Sequence, residues 1–282
     1  MRQRHYSVIS IVLSIANRLL IASCLIANLG LAQSLPLNPP YFTAAGIVQG
    51  ATQTAEILAP NTIATIYGTN LSWTTHILTV ADLNGGTLPT SLDGVTVYVH
   101  NIACNLLYVS PGQINFLIPY ELTVTSAEVL VARQGIAGPM GANGLPSVNI
   151  VLATTSPAFF QWNGNFAVAQ HANGILITAT APAQAGETIV LYAAGLGRTV
   201  PDSSSGAIPK SAATILYASQ LQILLNGSPL PEGSVQYAGA TPGFAGLYQI
   251  NVVLPDVLPP DPNIQVAIGT QVSPPAIQLY AN

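Results

Sequence analysis

The chain is short of charge. Only 6% of its 282 residues are Asp, Glu, Lys or Arg, against about 25% in an average soluble domain. Cations are scarcest. Beyond residue 32 they are Arg133, Arg198 and Lys210, set against ten acids, so that this part carries a net charge of −7. Three scattered cations cannot neutralise a phosphate backbone, which excludes nucleic acid as a partner. Cysteine is nearly absent too: there is Cys24, inside an N-terminal apolar segment, and Cys104. Cys104 alone offers no intramolecular disulfide and no thiolate cluster for a metal, and it reads as a small buried apolar residue. The sequence has no Gly-x-Ser-x-Gly elbow,. After the leader it has no run of 18 apolar residues, and no amphipathic helical pattern. Disorder does not follow from the low charge, because half of the residues are hydrophobic,. The surface must be built from Asn, Gln, Ser, Thr and backbone, which suits an extracellular protein.

What the chain does have is a repeat. Val109-Ser110-Pro111-Gly112-Gln113-Ile114-Asn115-Phe116-Leu117-Ile118-Pro119 returns as Thr241-Pro242-Gly243, five inserted residues Phe244 to Tyr248, then Gln249-Ile250-Asn251-Val252-Val253-Leu254-Pro255. A second pair agrees: Ile63 to Leu71 reads like Ile189 to Gly197, with Tyr67 and Tyr192 standing 125 residues apart. A domain-sized spacing means two tandem copies of one fold, since solenoid repeats have periods of about 20–50 residues. In each copy Pro-Gly makes a turn, with Gly free to take φ > 0. Gln-Ile-Asn opens a strand, and the closing Pro ends it or sits on an edge. Asn115 and Asn251 are then polar residues inside strands. A duplicated polar residue in a turn-strand unit suits a role in tying a loop to the sheet, with ligand contact as the alternative.

The rest of the chain alternates short apolar strands with Gly, Pro and Asn turns. Val95, Val97 and Val99 alternate with Thr96 and Tyr98, a half-buried strand. Asn226-Gly227 after Leu221 to Leu225 is a hairpin signal, and Asn101 turns the chain at the matching place in the first copy. The out-of-step alternation around the two turns predicts that they differ in length. The expectation is an all-β chain of two tandem immunoglobulin-like β-sandwich units, 33–155 and 156–282, meeting between about Ala153 and Phe159. They follow a leader over residues 1–32. Arg2 and Arg4 precede its apolar run, and Gly30-Leu31-Ala32 supplies small residues for cleavage before Gln33, which resembles a secretory signal peptide. An uncleaved anchor and lipidation at Cys24 are the alternatives. A membrane is expected only through the leader if it stays uncleaved.

Four segments carry a family resemblance: Ala59 to Leu71, Leu88 to Val95, Leu107 to Pro119, and Gly186 to Gly197 together with Pro242 to Pro255. On these the chain resembles the uncharacterised C-terminal domain family of secreted proteins of soil Acidobacteria, notably Solibacter. Tyr67-Gly68-Thr69-Asn70-Leu71 is also similar to the opening strand of immunoglobulin-like transcription-factor (TIG) folds. Asn101-Ile102 stands where the Acidobacteria family tends to have Asn-Gly. The resemblance implies extracytoplasmic export, often as a module appended to other domains; the family has no established activity, so it assigns no catalytic residue.

Chemistry is hard to find in the sequence. His76, His100 and His171 are available as bases, but none is tied by a motif to a nucleophile. Glu56, Glu121, Glu128 and Glu187 form no recognisable carboxylate pair, and Glu187 after Gly186 reads as a turn residue. Asp82, Asn84 and Asp93 put oxygen ligands in one loop, but Thr87 stands where an EF-hand needs glycine, so a plain solvated loop is the better reading and an irregular calcium site the alternative. Trp73 and Trp162 lie in polar surroundings and could stack on a flat ligand, or close a core edge. The expectation is therefore a secreted or cell-surface structural or interaction module that is not an enzyme. It has no catalytic, metal or cofactor site, and its partner is a protein or glycan at the cell exterior. The alternatives are a carbohydrate-binding module using loop aromatics and an extracellular hydrolase.

Overall fold

The computed structural model describes residues 38–134, 136–138, 148–202 and 205–282. The leader read over residues 1–32, with Cys24, lies outside the described residues. Among those described, the only helical turns are 3-10 segments at Val80–Asp82 and Ala218–Gln220. The fold is all-β, and every strand pair within its sheets is antiparallel.

In the first half, one sheet runs in the order Tyr41–Gln49, Ile63–Thr69, Gln113–Leu117, Leu106–Val109, His76–Ile77. A second runs Val148–Val151, Ser126–Arg133, Val95–Val99, Ile102–Ala103. Alternation decides which side chains meet between them. Val95, Val97 and Val99 are fully buried, as are Ile66, Ile114 and Phe116 from the facing sheet, and they share one core. The second half repeats this plan. Thr188–Ala194, Tyr248–Val253 and Val235–Ala240 lie side by side in one sheet, and Ser228–Pro229, Leu221–Leu225 and Ile264–Ile268 in another. A separate core built on Leu191, Ile223, Ile250 and Val266 fills the space between them. The two Gln-Ile-Asn strands lie in different sheets.

The turns carry two corrections. Val99 pairs with Ile102 and Leu225 with Ser228, so both hairpins close with two-residue loops of equal length. The copies align His100 with Asn226 and Asn101 with Gly227. All four take left-handed φ, at 51°, 49°, 63° and 80°, as a type I′ turn requires. A histidine holding φ > 0 is what hid the match. The Pro-Gly turns differ as well. Gly243 takes φ 88°, whereas Gly112 stays outside the left-handed region, and the carbonyls of Pro111 and Gly112 instead accept from the N–H of Leu71 and Gly68, each at 3.1 Å.

The halves are fastened together. A third apolar cluster draws Ile63 and Leu117 from the outer face of the first sheet, Phe160, Val168 and Ala194 from the second half, and Leu247 from the five-residue insertion. A Cβ placed on Gly246 of that insertion would stand 2.8 Å from Ile63 Cγ1 and closer still to Leu117. Backbone joins the halves too. Leu88 N–H donates to the Gly206 carbonyl and Ile208 N–H to the Gly86 carbonyl, both at 2.9 Å. The buried Gln49 amide donates to the Ser156 carbonyl at 2.7 Å.

Candidate functional site

The repeated motif builds a polar ladder on the outer face of each long sheet. Strand alternation sends Ile114 and Phe116 to the core, leaving Gln113 and Asn115 on the opposite face. Tyr67 stands opposite Gln113, and Thr65 opposite Asn115. Tyr192 stands opposite Gln249, and Val190 opposite Asn251. Within each strand the Gln amide donates to the Asn Oδ1, at 2.9 Å for Gln113 and 3.2 Å for Gln249. Thr65 Oγ1 also donates to Asn115 Oδ1 at 3.1 Å. Each tyrosine hydroxyl donates to a glutamine Oε1 at 2.6 Å, Tyr67 to Gln53 and Tyr192 to Gln170. Burial pushes both tyrosine pKa values up. These bonds link each asparagine to its own sheet.

His76 is clamped between two carboxylates. Its Nε2 lies 3.1 Å from Asp82 and its Nδ1 3.0 Å from Asp93. Asp82 also accepts from Thr79 N–H and Thr79 Oγ1, both at 2.7 Å, and Asp93 from Thr74 Oγ1 at 2.6 Å. A neutral imidazole has a proton on one nitrogen only. Facing both ring nitrogens with carboxylates favours the imidazolium, and hydrogen bonds to Asp82 and Asp93 raise the pKa of His76. Asp82 is held below its usual range by Thr79 first and His76 next, and Asp93 by Thr74 and then His76. The oxygens read as possible calcium ligands are engaged in this way, and Asn84 closes a tight backbone turn with Thr87. Among the described residues no group of three or more His, Cys, Asp and Glu is placed to hold a metal ion.

His171 is likewise occupied. Nδ1 faces Glu187 at 2.9 Å and Nε2 the Ala181 carbonyl at 3.2 Å. Glu187 also accepts from Gln184 N–H at 2.7 Å, the turn role its place after Gly186 suggests. Cys104 is fully buried and burial pushes its thiol pKa far up, which makes it inert.

The two tryptophans do not come together on a groove. Trp73 is 41% exposed, but the Arg133 guanidinium lies 3.5 Å from its ring centroid, a cation–π contact. Arg133 holds the core-facing phase at the end of the Ser126–Arg133 strand. It is buried, donates to the carbonyls of Asn70 and Asn38, and its pKa is lowered by desolvation. Trp162 is half-buried against the cluster that joins the halves.

Two grooves stand out. One, of about 220 Å³, lies along the junction and is apolar, with Leu78, Val80 and Leu83 on one side and Ile208, Phe244 and Leu247 on the other. The His76 clamp fixes the 3-10 turn that forms its outer wall. The other, of about 660 Å³, opens in the second half where Leu221–Leu225 and Val235–Ala240 part company. Its lining includes Ser219, Gln222, Glu232, Gln236 and Tyr237. Sequence reasoning missed these residues, because their only shared signal is the place of two strands in different sheets.

No curated protein sequence matches the chain. Among solved structures it is similar to the surface glycan-binding protein PbSGBP-B from Prevotella bryantii, at 12% identity and a TM-score of 0.26 over 86% of this chain and 42% of that one. It is also similar to SGBP-B of the Bacteroides ovatus mixed-linkage glucan utilization locus, at 10% identity and a TM-score of 0.29 over 79% and 42%. The plexin A4 extracellular region is similar at 11% identity and a TM-score of 0.25 over 79% and 17%. The chain thus spans less than half the length of these proteins, and likenesses this loose carry no argument about its activity. Sequence is more definite for the first half: the IPT/TIG domain model matches residues 53–147, so an immunoglobulin-like IPT/TIG domain lies within this chain.

Proposed function

We propose that the chain is an extracytoplasmic module that works by binding rather than by making or breaking bonds. In this reading it consists of two β-sandwich units, 33–155 and 156–282, that act as one body. The observation that carries it is the engagement of His76 and His171, two of the three histidines available as bases. Both ring nitrogens of His76 and of His171 already face acceptors within their own loops. A general base needs a free lone pair within reach of a nucleophile's proton; carboxylates face both nitrogens of His76, and no Ser, Thr or Cys side chain is hydrogen-bonded to His171 among the described residues. The shared cluster and the backbone bonds between residues 86–88 and 206–208 favour a fixed relative orientation of the two units, which suits a rigid presenting surface.

The test is a screen of the exported chain on a glycan array and by pull-down against surface and secreted proteins, with product analysis of every glycan retained. Saturable binding with no turnover is the expected result. Cleavage of a bound glycan, abolished by His76→Gln or His171→Gln in protein that melts as wild type, would overturn it.

A further inference from the structure

Resting on that reading, the geometry points to the groove between Leu221–Leu225 and Val235–Ala240 as a binding site for a neutral oligosaccharide. These strands belong to the two different sheets of the second unit. At about 660 Å³ the space falls within the size range of small-ligand sites,. Its floor is apolar, with Leu221, Ile223 and Ala238 buried.

The rim is polar and uncommitted. The side chains of Ser219, Gln222, Glu232 and Gln236 are exposed and make no hydrogen bond among the described residues. Glutamines elsewhere are spent internally, as at Gln49, Gln53, Gln170 and Gln265. Each free amide offers two donors and a two-lone-pair acceptor, which matches vicinal sugar hydroxyls. Tyr237 supplies the remaining element. Its hydroxyl is fixed on Ala213 N–H at 3.1 Å and the Ala240 carbonyl at 2.9 Å, so its half-buried ring is held in one orientation. A fixed aromatic ring beside an apolar floor suits the C–H face of a sugar.

Charge narrows the ligand. Glu232 is the one acidic residue lining the groove and no Lys, Arg or His lines it, so nothing there would attract phosphate, sulfate or uronate. An extended peptide adding to the strand edge is less well served. Between Val235 and Tyr237 the register slips, leaving Gln236 as an extra, bulged residue, and a bulge twists an edge away from regular pairing.

The test uses the exported full chain and isothermal titration with hexasaccharides of β-1,4-glucan, β-1,3-glucan, β-1,4-mannan and β-1,4-xylan, an oligogalacturonate, and a pool of extended neutral peptides. At least one neutral hexasaccharide is expected to bind, and the oligogalacturonate to fail. The Gln222→Ala/Gln236→Ala double variant should melt as wild type and, with its amide hydrogen bonds to the sugar lost, bind about tenfold or more weakly. Saccharide binding unchanged in that variant but lost in Trp73→Ala would overturn the groove and leave the binding function standing. Binding of the peptide pool alone, or no saccharide bound at millimolar concentration, would overturn the sugar assignment.

Discussion

Tyr67 lies directly across the strand pair from Gln113, and 125 residues later Tyr192 lies across from Gln249 in the same relation. Each tyrosine then reaches a second glutamine with its hydroxyl, at the same 2.6 Å. Two copies have therefore kept a four-residue polar arrangement on the outer faces of their sheets, where core packing does not demand it. Tyr67→Phe and Tyr192→Phe should each lower stability by about 0.5–1.5 kcal/mol, read from urea unfolding of the full chain. A loss confined to one copy would show that only one of these hydrogen bonds matters.

The two asparagines should behave differently although their motifs match. Asn115 is 2% exposed and accepts from both Gln113 and Thr65, while Asn251 is half-buried and accepts from Gln249. Asn115→Ala is expected to cost about 1–3 kcal/mol, and Asn251→Ala about 1 kcal/mol or less. Asn251→Asp keeps the acceptor and should be milder than Asn251→Ala. Asn115→Asp would bury a charge and should be worse than Asn115→Ala. Thermal melts of the four variants decide the order.

The His76 clamp makes stability depend on pH from both sides. His76 has a raised pKa, so its contribution is complete below about 6.5 and is lost as pH rises through the raised value. Asp82 and Asp93 have lowered pKa values, so theirs is complete above about 3.9 and is lost as pH falls through the lowered ones. The difference in melting temperature between wild type and His76→Gln should be greatest between about pH 4 and 6.5 and shrink on either side. A difference constant from pH 3 to 9 would remove the clamp from the account.

Gly246 is a tight point of the junction. Its φ is 77°, and any β-carbon there would press on Leu117 and Ile63. Gly246→Val should destabilise by about 2–4 kcal/mol, combining a left-handed backbone with overpacking. If the junction couples the halves, calorimetry of this variant should split one transition into two.

At the N-terminus, the small residues of Gly30-Leu31-Ala32 predict that protein secreted from a Gram-negative host begins at Gln33 and carries no lipid. Intact-mass measurement settles the point, and a lipidated Cys24 would refute it.

Much of the fold was legible because strand periodicity and turn chemistry are local. The Val95–Val99 alternation, the Asn226-Gly227 hairpin and the Gln-Ile-Asn strands need only neighbouring residues to be read. The equal turn lengths were not legible, since His100 at φ 51° is a choice the sequence does not advertise. The candidate sites were hidden for a different reason. His76 meets carboxylates 6 and 17 residues away, and the groove joins Gln222 to Gln236 across the gap between two sheets. Contacts of that kind depend on topology, which no window along the chain contains. Ile63 and Leu117 read simply as strand residues, and nothing local marked them as the outward-facing pair on which the other half rests.

The five-residue insertion gives the duplication a direction. Only the second copy carries Phe244 to Tyr248, and it reaches back onto the outer face of the first copy's sheet. The first copy, with Gln113 following Gly112 directly, has no tongue to extend in return. Exchanging the two copies would leave the apolar pair Ile63 and Leu117 facing water while the insertion lost its seat. The halves have become lock and bolt, and swapping or fusing them in engineered arrays will work in one order only.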